Sequence, residues 1–221
     1  MGLQRELDAL REEWSKTAPA ARQQLYDEKV AELRASGILE TALKRGDTAP
    51  DFTLPGAAGR SVSLRERLTE GPVVLTFYRG GWCPYCNLQL RSYQKVLPEI
   101  VRLGASLVAV SPELPDGSLS VVEANELTFD VLSDFGNAVS RSYGLTFAMP
   151  PELRDVMLQV GKDLTRMNGD DSWELPVPAT YVVAPDGRIT FSFVDAEYRN
   201  RLEPSEIVAA LSELAAAKAA G

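Results

Sequence analysis

Apolar side chains recur every three or four positions through the first part of the chain. That period predicts two or three amphipathic helices over residues 1–45. Gly37 is placed to end the second stripe, because glycine readily adopts the left-handed backbone that closes many helices. The first stripe consists of Leu3, Leu7, Leu10 and Trp14, and the second of Leu25 or Tyr26, Val30 and Leu33. We expect these faces to pack against the rest of the chain or to join two copies in a homodimer.

From residue 46 the pattern changes to short apolar runs separated by turn residues. Residues 51–64, "DFTLPGAAGRSVSL", alternate apolar and polar positions around a Gly-rich turn, which is typical of a hairpin. Residues 72–78, "PVVLTFY", form the continuous β-branched run expected of a central strand. Residues 106–111 and 129–134 predict two further strands, and "ATYVVAPDGRITFSFV" predicts two more about a Pro-Asp-Gly turn.

Helical patterns separate these strands. One of them follows the 72–78 strand and contains Pro98, which we expect to kink it, and an Ala/Leu-rich helix closes the chain after Pro204. Alternating strands and helices predict an α/β fold with a central mixed sheet flanked by helices. We therefore expect one domain over residues 46–221, preceded by a helical extension over 1–45.

Composition removes several classes of function. The 221-residue chain carries a formal charge of -8 with a pI near 4.8, which argues against nucleic-acid binding. It contains no histidine, which excludes Ser-His-Asp and Cys-His pairs and the usual zinc hydrolase sites. The charged N-terminus is unlike a secretory signal, and no apolar run is long enough to span a membrane. We expect a cytoplasmic protein without cofactor or metal. The reducing cytoplasm suits a dithiol that cycles between its reduced and oxidised forms.

The chain's two cysteines lie three positions apart in "FYRGGWCPYC", residues 77–86. They follow a predicted buried strand and open a helix, where free backbone N–H groups and the helix dipole lower a thiol pKa. Arg79 adds positive charge if its guanidinium folds over the pair, and the alternative is a solvated surface arginine. One thiol can then attack and its neighbour resolve. Two other readings stay open, half of a zinc site or two inert buried thiols.

A family resemblance supports the redox interpretation. "WCPYC" after "VVLTFY" resembles the thioredoxin-fold redox motif, and "LPVPATYVVAPDGRI" resembles the segment in which a proline, usually cis, faces the thiols. We assign that proline to Pro178, with Pro176 as the alternative. "GDTAPDFTLPGAAGRSVSL" and "VLSDFGNAVSRSYGL" are similar to peroxiredoxins of the alkyl hydroperoxide reductase type. The resemblance covers about residues 46–212 and implies a thioredoxin-like fold.

The two groups of relatives imply different attacking thiols. Aligned with the peroxiredoxin motif, Cys86 takes the place of the peroxide-attacking cysteine, while that motif's threonine and proline fall on Cys83 and Arg79. The peroxiredoxin arginine before the later strand falls on Pro178. Aligned with thioredoxins, Cys83 is the exposed attacking thiol and Cys86 the buried resolver. The buried aspartate of thioredoxins falls on Phe77, however, and no nearby acid replaces it as proton acceptor. We expect Cys86 to attack peroxides and Cys83 to attack disulfides.

The resemblance implies thiol-dependent reduction of hydrogen peroxide or organic hydroperoxides, with a thioredoxin-like dithiol as reductant. Arg79 and Thr180 are candidates for the missing activating groups, with a plain strand residue as the alternative for Thr180. Trp82 and Trp173 are candidates for the wall of a substrate groove, with ordinary core or rim packing as the favoured alternative. Two alternatives remain, a disulfide reductase without peroxidase activity and a redox-sensing or binding module. In the last case the helices over 1–45 and the segment 146–175 would supply a partner surface.

Overall fold

A computed structural model describes residues 2–219. The strands are β1 (Thr53–Pro55), β2 (Ser61–Ser63), β3 (Val73–Phe77), β4 (Ser106–Ser111), β5 (Asp130–Ser133), β6 (Thr146–Ala148), β7 (Glu174–Pro176), β8 (Ala179–Val183) and β9 (Ile189–Val194). The helices are α1 (Leu3–Thr17), α2 (Ala20–Ala35), α3 (Ile38–Thr41), α4 (Leu64–Glu70), α5 (Pro84–Arg102), α6 (Pro115–Asn125), α7 (Ala138–Ser142), α8 (Pro151–Gln159), α9 (Leu164–Asn168) and α10 (Pro204–Ala219).

The central sheet has the strand order β5-β4-β3-β8-β9. β3 runs parallel to β4 and antiparallel to β8, so the sheet is mixed, as the alternation of strands and helices predicted. Every residue of β3 is buried, which explains why its sequence is a continuous apolar run rather than an alternating one. Because β3 and β4 are parallel, their carboxyl ends meet at one edge of the sheet, and the loops that follow them lie side by side.

Each face of the sheet carries its own apolar core. On one face α5 packs with α1 and α10, and α5 runs unbroken past Pro98 to Arg102. The other face is built around three aromatic rings, with Phe77 and Tyr143 centroids 4.9 Å apart and Tyr143 and Tyr181 centroids 5.6 Å apart. Together the two cores fix where β3 ends and α5 begins.

The N-terminal helices pack on this body in two different ways. α1 buries Leu3 and Leu7 in the core beneath α5, as its apolar stripe predicted. α2 has no buried residue, and Gly37, with a φ of +81°, follows it in the predicted left-handed conformation. Ion pairs join α2 to later parts of the chain, namely Asp27–Arg199 at 2.5 Å, Lys29–Glu152 at 3.3 Å and Arg34–Asp195 at 3.4 Å. α2 is therefore held at its polar positions, and part of its apolar stripe lines clefts.

The segment between β6 and β7 forms a small unit that the sequence patterns did not resolve. β6 pairs antiparallel with β7, and α8 and α9 fill the connection between them. Leu153 and Met157 of α8 are buried there with Leu164 and Leu175. Across residues 2–219, no helix is both long enough and apolar enough to cross a lipid bilayer.

Candidate functional site: a buried dithiol at the end of the central strand

Both cysteines lie where β3 passes into α5. Cys83 is the N-cap residue of α5, and Pro84 occupies the first turn, where its missing N–H has no cost. The backbone N–H groups of Cys86 and Asn87 donate to the Cys83 carbonyl at 3.0 and 3.1 Å. This local hydrogen bonding places the two side chains on the first turn of one helix.

The loop before Cys83 requires its two glycines. Gly80 has a φ of +140°, and a Cβ there would lie 2.4 Å from Nε1 of Trp82. A Cβ on Gly81 would lie 2.2 Å from a methyl group of Val121. The Cys83 N–H donates to the Gly80 carbonyl at 3.1 Å. The close packing of this loop therefore fixes the backbone from which Cys83 projects.

Both cysteines are more buried than a helix start suggested. Cys83 is 1% exposed and Cys86 is 0% exposed, so the expectation of an accessible Cys83 is wrong. The reason is tertiary, because residues of α1, α2 and the loop after β9 cover the start of α5. Cys83 nevertheless lines a cleft of about 200 Å³, whereas Cys86 does not. The cleft is lined by Trp14, Arg22, Tyr26, Arg79, Trp82, Cys83, Pro84, Tyr85, Val156, Met157, Val160, Lys162 and Tyr198.

The two thiols interact directly and differ in acidity. Burial alone would raise the pKa of the Cys83 thiol, but the hydrogen bond from Cys86 and the charges of Arg79 and Arg201 together hold that pKa well below its usual range. Burial raises the pKa of Cys86 well above its usual range, as do its hydrogen bond to Cys83 and the charge there. These opposite directions favour the thiolate at Cys83 and keep the proton on Cys86.

Arg79 is buried beside the pair, rather than solvated. Its side chain is 5% exposed, with Cζ 4.8 Å from the Trp82 ring centroid and 4.3 Å from that of Tyr198. Its Nε atom has no hydrogen-bond partner, and within residues 2–219 it forms no ion pair with a carboxylate. Cation–π contacts with two rings hold this guanidinium at the cleft without neutralising it.

Arg201 is a site residue that sequence reasoning missed. One of its terminal nitrogens, Nη2, donates to Cys86 Sγ at 3.4 Å. The other, Nη1, donates to the backbone carbonyls of Tyr198 and Asn200, the latter at 2.7 Å. Because this arginine comes from the loop after β9, 115 residues from Cys86, no local motif indicates it. It supplies positive charge at the pair although the peroxiredoxin arginine position holds a proline.

Glu113 corrects the expectation that no acid lies near the thiols. Its carboxylate accepts the Gly81 N–H at 2.7 Å, and the side chain is 5% exposed. Burial raises its pKa, with a contribution from the charge on Cys83. A signal did exist, because Glu113 comes two residues after β4 and the parallel pairing of β3 with β4 brings their ends together.

The structure places the remaining candidates apart from the cleft or at its wall. No peptide bond within residues 2–219 is cis, so the cis geometry implied for Pro178 is wrong. The chain arrives there extended, with Val177 N–H donating to Leu145, and trans is the default even before proline. Pro178 lines a neighbouring apolar cleft that shares Arg79 but does not include Cys83.

Thr180 and the two tryptophans also have clear positions. The Thr180 hydroxyl lies in a buried network with Thr76 at 3.0 Å and Tyr93 at 3.2 Å, and it does not line the Cys83 cleft. Trp82 lines that cleft. Trp173 is partly buried against the core around α8 and is not among the lining residues.

The fold and the paired thiols define a thioredoxin-fold protein with a dithiol at the strand-to-helix junction. Residues 45–192, more than half of the chain, match the AhpC/TSA family model. The chain belongs to the AhpC/TSA family. The helices α1, α2 and α3 lie outside the matched region.

Individual relatives agree with this assignment. A Mycobacterium tuberculosis protein provisionally named a peroxiredoxin is 35% identical over 104 residues, which is 47% of this chain and 66% of that protein. The chloroplastic peroxiredoxin Q of Sedum lineare is 32% identical over 115 residues, 52% of this chain and 61% of that protein. The chain thus spans just under two thirds of the length of these two curated relatives.

Solved structures show the same fold at low sequence identity. Peroxidoxin BcpB from Mycobacterium tuberculosis has a TM-score of 0.61 at 21% identity, covering 77% of this chain and 97% of that one. A cysteine-to-serine mutant of PrxQ from Xylella fastidiosa has a TM-score of 0.62 at 16% identity, covering 78% and 98%. These likenesses support the thioredoxin-like fold.

Proposed function

We propose that the protein is a thiol-dependent peroxidase that reduces hydrogen peroxide or organic hydroperoxides through a Cys83–Cys86 dithiol–disulfide cycle. The observation that carries the proposal is the geometry of the pair, in which Cys83 lines a cleft, Cys86 lies buried on the same helical turn, and Arg79 and Arg201 are held beside them. Membership of the AhpC/TSA family supports it. The thiolate is the nucleophilic form, and the charges of Arg79 and Arg201 together with the Cys86 hydrogen bond favour it against the opposing effect of burial.

The chemistry divides into three balanced steps. The Cys83 thiolate attacks one peroxide oxygen, the O–O bond breaks, and the departing alkoxide or hydroxide takes a proton from solvent, leaving a Cys83 sulfenic acid. The Cys86 thiol attacks that sulfur, the S–O bond breaks, and its proton leaves with the hydroxyl group as water. An external dithiol of the thioredoxin type then reduces the disulfide by exchange and is itself oxidised.

In this scheme Cys83, and not Cys86, attacks peroxide. Alignment with peroxiredoxins favoured Cys86, but that sulfur does not line the cleft and burial raises its pKa. Arg79 and Arg201 stabilise the negative charge that moves from sulfur to oxygen in the transition state. They would take the part of the absent threonine and of the arginine position occupied by Pro178.

Single-turnover oxidation with one equivalent of hydrogen peroxide tests the assignment. In the Cys86→Ser variant we expect a stable sulfenic acid on Cys83, trapped by a dimedone-type probe and located by mass spectrometry. The Cys83→Ser variant should give no adduct and no turnover with a dithiol reductant. A sulfenic acid found on Cys86 instead would make Cys86 the attacking thiol and Cys83 the resolving one. The absence of an adduct at either sulfur would contradict the proposed peroxidase activity.

A disulfide reductase without peroxidase activity is the second candidate. The order of the two pKa values, with the first cysteine lower than the second, favours it, since that order suits attack on a disulfide substrate. Reduction of insulin, lost in Cys83→Ser and accompanied by no reaction with peroxide, would establish this activity. Peroxide consumption with insulin left intact would exclude it.

A further inference from the structure

The Cys83 cleft carries three cations in an acidic protein. Arg22, Arg79 and Lys162 line it, whereas the chain as a whole has a net charge of -8. Among residues 2–219, no aspartate or glutamate lines this cleft. A cleft lined by one sign of charge, with low-dielectric walls, focuses its field and concentrates ligands of opposite charge.

None of these cations is neutralised by an ion pair within residues 2–219. Lys162 Nζ donates to the Trp82 backbone carbonyl at 3.1 Å and lies 5.7 Å from the Trp82 ring centroid. Carboxylates close in sequence are occupied elsewhere, because Asp27 pairs with Arg199 and Asp163 accepts from Thr165. The Cys83 thiolate, where it forms, offsets one of the three positive charges, and the remaining charge is available to a ligand.

Two residues that line the cleft carry buried hydrogen-bond donors without a partner. Arg79 is 5% exposed, and its Nε has no hydrogen-bond partner. Trp82 Nε1, on the same wall, is likewise buried and unpaired. Buried donors are almost always paired in folded proteins, and each unpaired one costs free energy. Arg79 lines the cleft, so an acceptor bound against its guanidinium would offset part of this cost.

The walls between these cations are aromatic. Their rings come from α1, α2, α5 and the loops before α5 and after β9, namely Trp14, Tyr26, Trp82, Tyr85 and Tyr198. Flat apolar walls with a few convergent polar groups are typical of small-molecule sites. The cleft volume of about 200 Å³ suits a small ligand rather than a folded domain.

We propose that this cleft is a binding site for a small carboxylate-bearing ligand, whose anionic group lies between Arg22, Arg79 and Lys162 while its reactive atom meets Cys83. The assignment of this ligand as a substrate rests on the proposed function. Two sources share the chemistry, an organic hydroperoxide with a carboxylate tail and a low-molecular-weight disulfide or thiol with carboxylate groups. α1 and α2 supply Trp14, Arg22 and Tyr26, so the segment outside the family match takes part in selecting the ligand.

Two alkylating reagents of nearly equal size test the site without any turnover. Iodoacetate is anionic and iodoacetamide is neutral, and an anion ordinarily reacts more slowly with a thiolate because like charges repel. At Cys83 we expect iodoacetate to be the faster reagent, with adducts located by mass spectrometry. Raising the salt from about 0.1 to 1 M, which shortens the Debye length from about 10 to 3 Å, should reduce that preference.

Variants on the rim provide the comparison. Arg22→Gln and Lys162→Gln should each lower the iodoacetate-to-iodoacetamide rate ratio by roughly threefold to tenfold, as expected for one charge at a partly screened site. Arg45→Gln removes an exposed charge that is not part of the cleft and should leave the ratio unchanged. A wild-type ratio below one, or equal ratios in all four proteins, would overturn the proposal.

Reactive ligands then separate the two sources. A carboxylated alkyl hydroperoxide is compared with its methyl ester, and dithiobis-nitrobenzoate with the neutral dithiodipyridine. If the protein reacts faster with the anionic member of one pair, and this preference is lost in Lys162→Gln, that pair identifies the ligand as a hydroperoxide or as a disulfide. If neither pair shows a preference for the anion, the carboxylate-bearing ligand is rejected. If hydrogen peroxide is consumed while the iodoacetate ratio stays below one, the peroxidase stands and this inference fails. The reverse result keeps the anion site and rejects the peroxidase.

Discussion

Two buried arginines that lie against the Tyr198 ring have opposite surroundings. The guanidinium carbon of Arg79 lies 4.3 Å from the Tyr198 ring centroid, and that of Arg199 lies 5.4 Å from it. Arg199 pairs with Glu197 at 2.6 Å and with Asp27 at 2.5 Å. Arg79 has two aromatic rings and no carboxylate.

This difference separates a cation that is neutralised by ion pairs from one that has no carboxylate partner. A buried charge costs several kcal/mol of desolvation, which a close ion pair offsets at Arg199. At Arg79 that cost is not offset by an acid, and the unneutralised charge instead lowers the pKa of Cys83. The ion pairs of Arg199 thus hold α2 to the loop after β9. Arg79 instead keeps an unpaired positive charge beside Cys83.

The largest effect is expected on the free energy of unfolding when the ion-paired cluster of Arg199, Glu197 and Asp27 is broken. Arg199→Ala would leave the mostly buried Glu197 carboxylate without its partner and should lower the free energy of unfolding by about 3–5 kcal/mol. Urea denaturation measures this. Arg34→Ala, which removes the more exposed pair with Asp195, should cost about 0–1 kcal/mol. Equal losses in the two variants would show that the Arg199 cluster is not the stronger tie.

A substitution of Arg79 should change the reactivity of Cys83 rather than the stability of the fold. Arg79→Gln removes a charge that lowers the pKa of Cys83, so that pKa should rise, and alkylation by iodoacetamide should slow at pH values near and below the raised pKa, where less thiolate is present. Thiolate absorbance near 240 nm, followed against pH, gives the pKa directly. An unchanged titration curve would mean that Arg201 and Cys86 suffice without Arg79.

A pH dependence of stability follows from the Cys83 thiolate. Because its pKa is lower in the folded chain than in the unfolded one, the thiolate stabilises the reduced protein above the unfolded thiol pKa of about 8.5. That contribution declines as the pH falls below about 8.5 and is lost once the pH passes below the folded pKa of Cys83. The free energy of unfolding of the reduced wild type, minus that of Cys83→Ser, should decrease over this window. A constant difference would contradict a lowered pKa.

The smallest effect is expected where the two regions are joined. Asp27→Asn weakens the link between α2 and Arg199, and because the Asp27 side chain is 57% exposed we expect a loss of only about 0.5–1 kcal/mol. Since α2 covers Cys83, alkylation by iodoacetamide should become a few times faster. Glu28→Gln, at an exposed position one residue away, serves as control. The same rate in all three proteins would show that α2 does not limit access.

Local patterns in the sequence determined the fold class and the position of the dithiol. The continuous apolar run of β3, the aromatic-Cys-x-x-Cys motif and the Pro in the first turn of α5 act within one stretch of chain, and the structure places strand, thiols and helix start as predicted. The helices of the extension followed for the same reason, because the apolar period of α1 specifies one buried face.

What surrounds the thiols was decided by tertiary structure alone. Arg201, Glu113 and the cover formed by α2 reach the site from distant segments, and the direction of a side chain in a loop depends on packing that no local period encodes. The pKa order of Cys83 and Cys86 follows from those neighbours, since desolvation and charge act through space. The sequence alone therefore specified that two thiols form a pair, and only the folded chain decided which of them carries the charge.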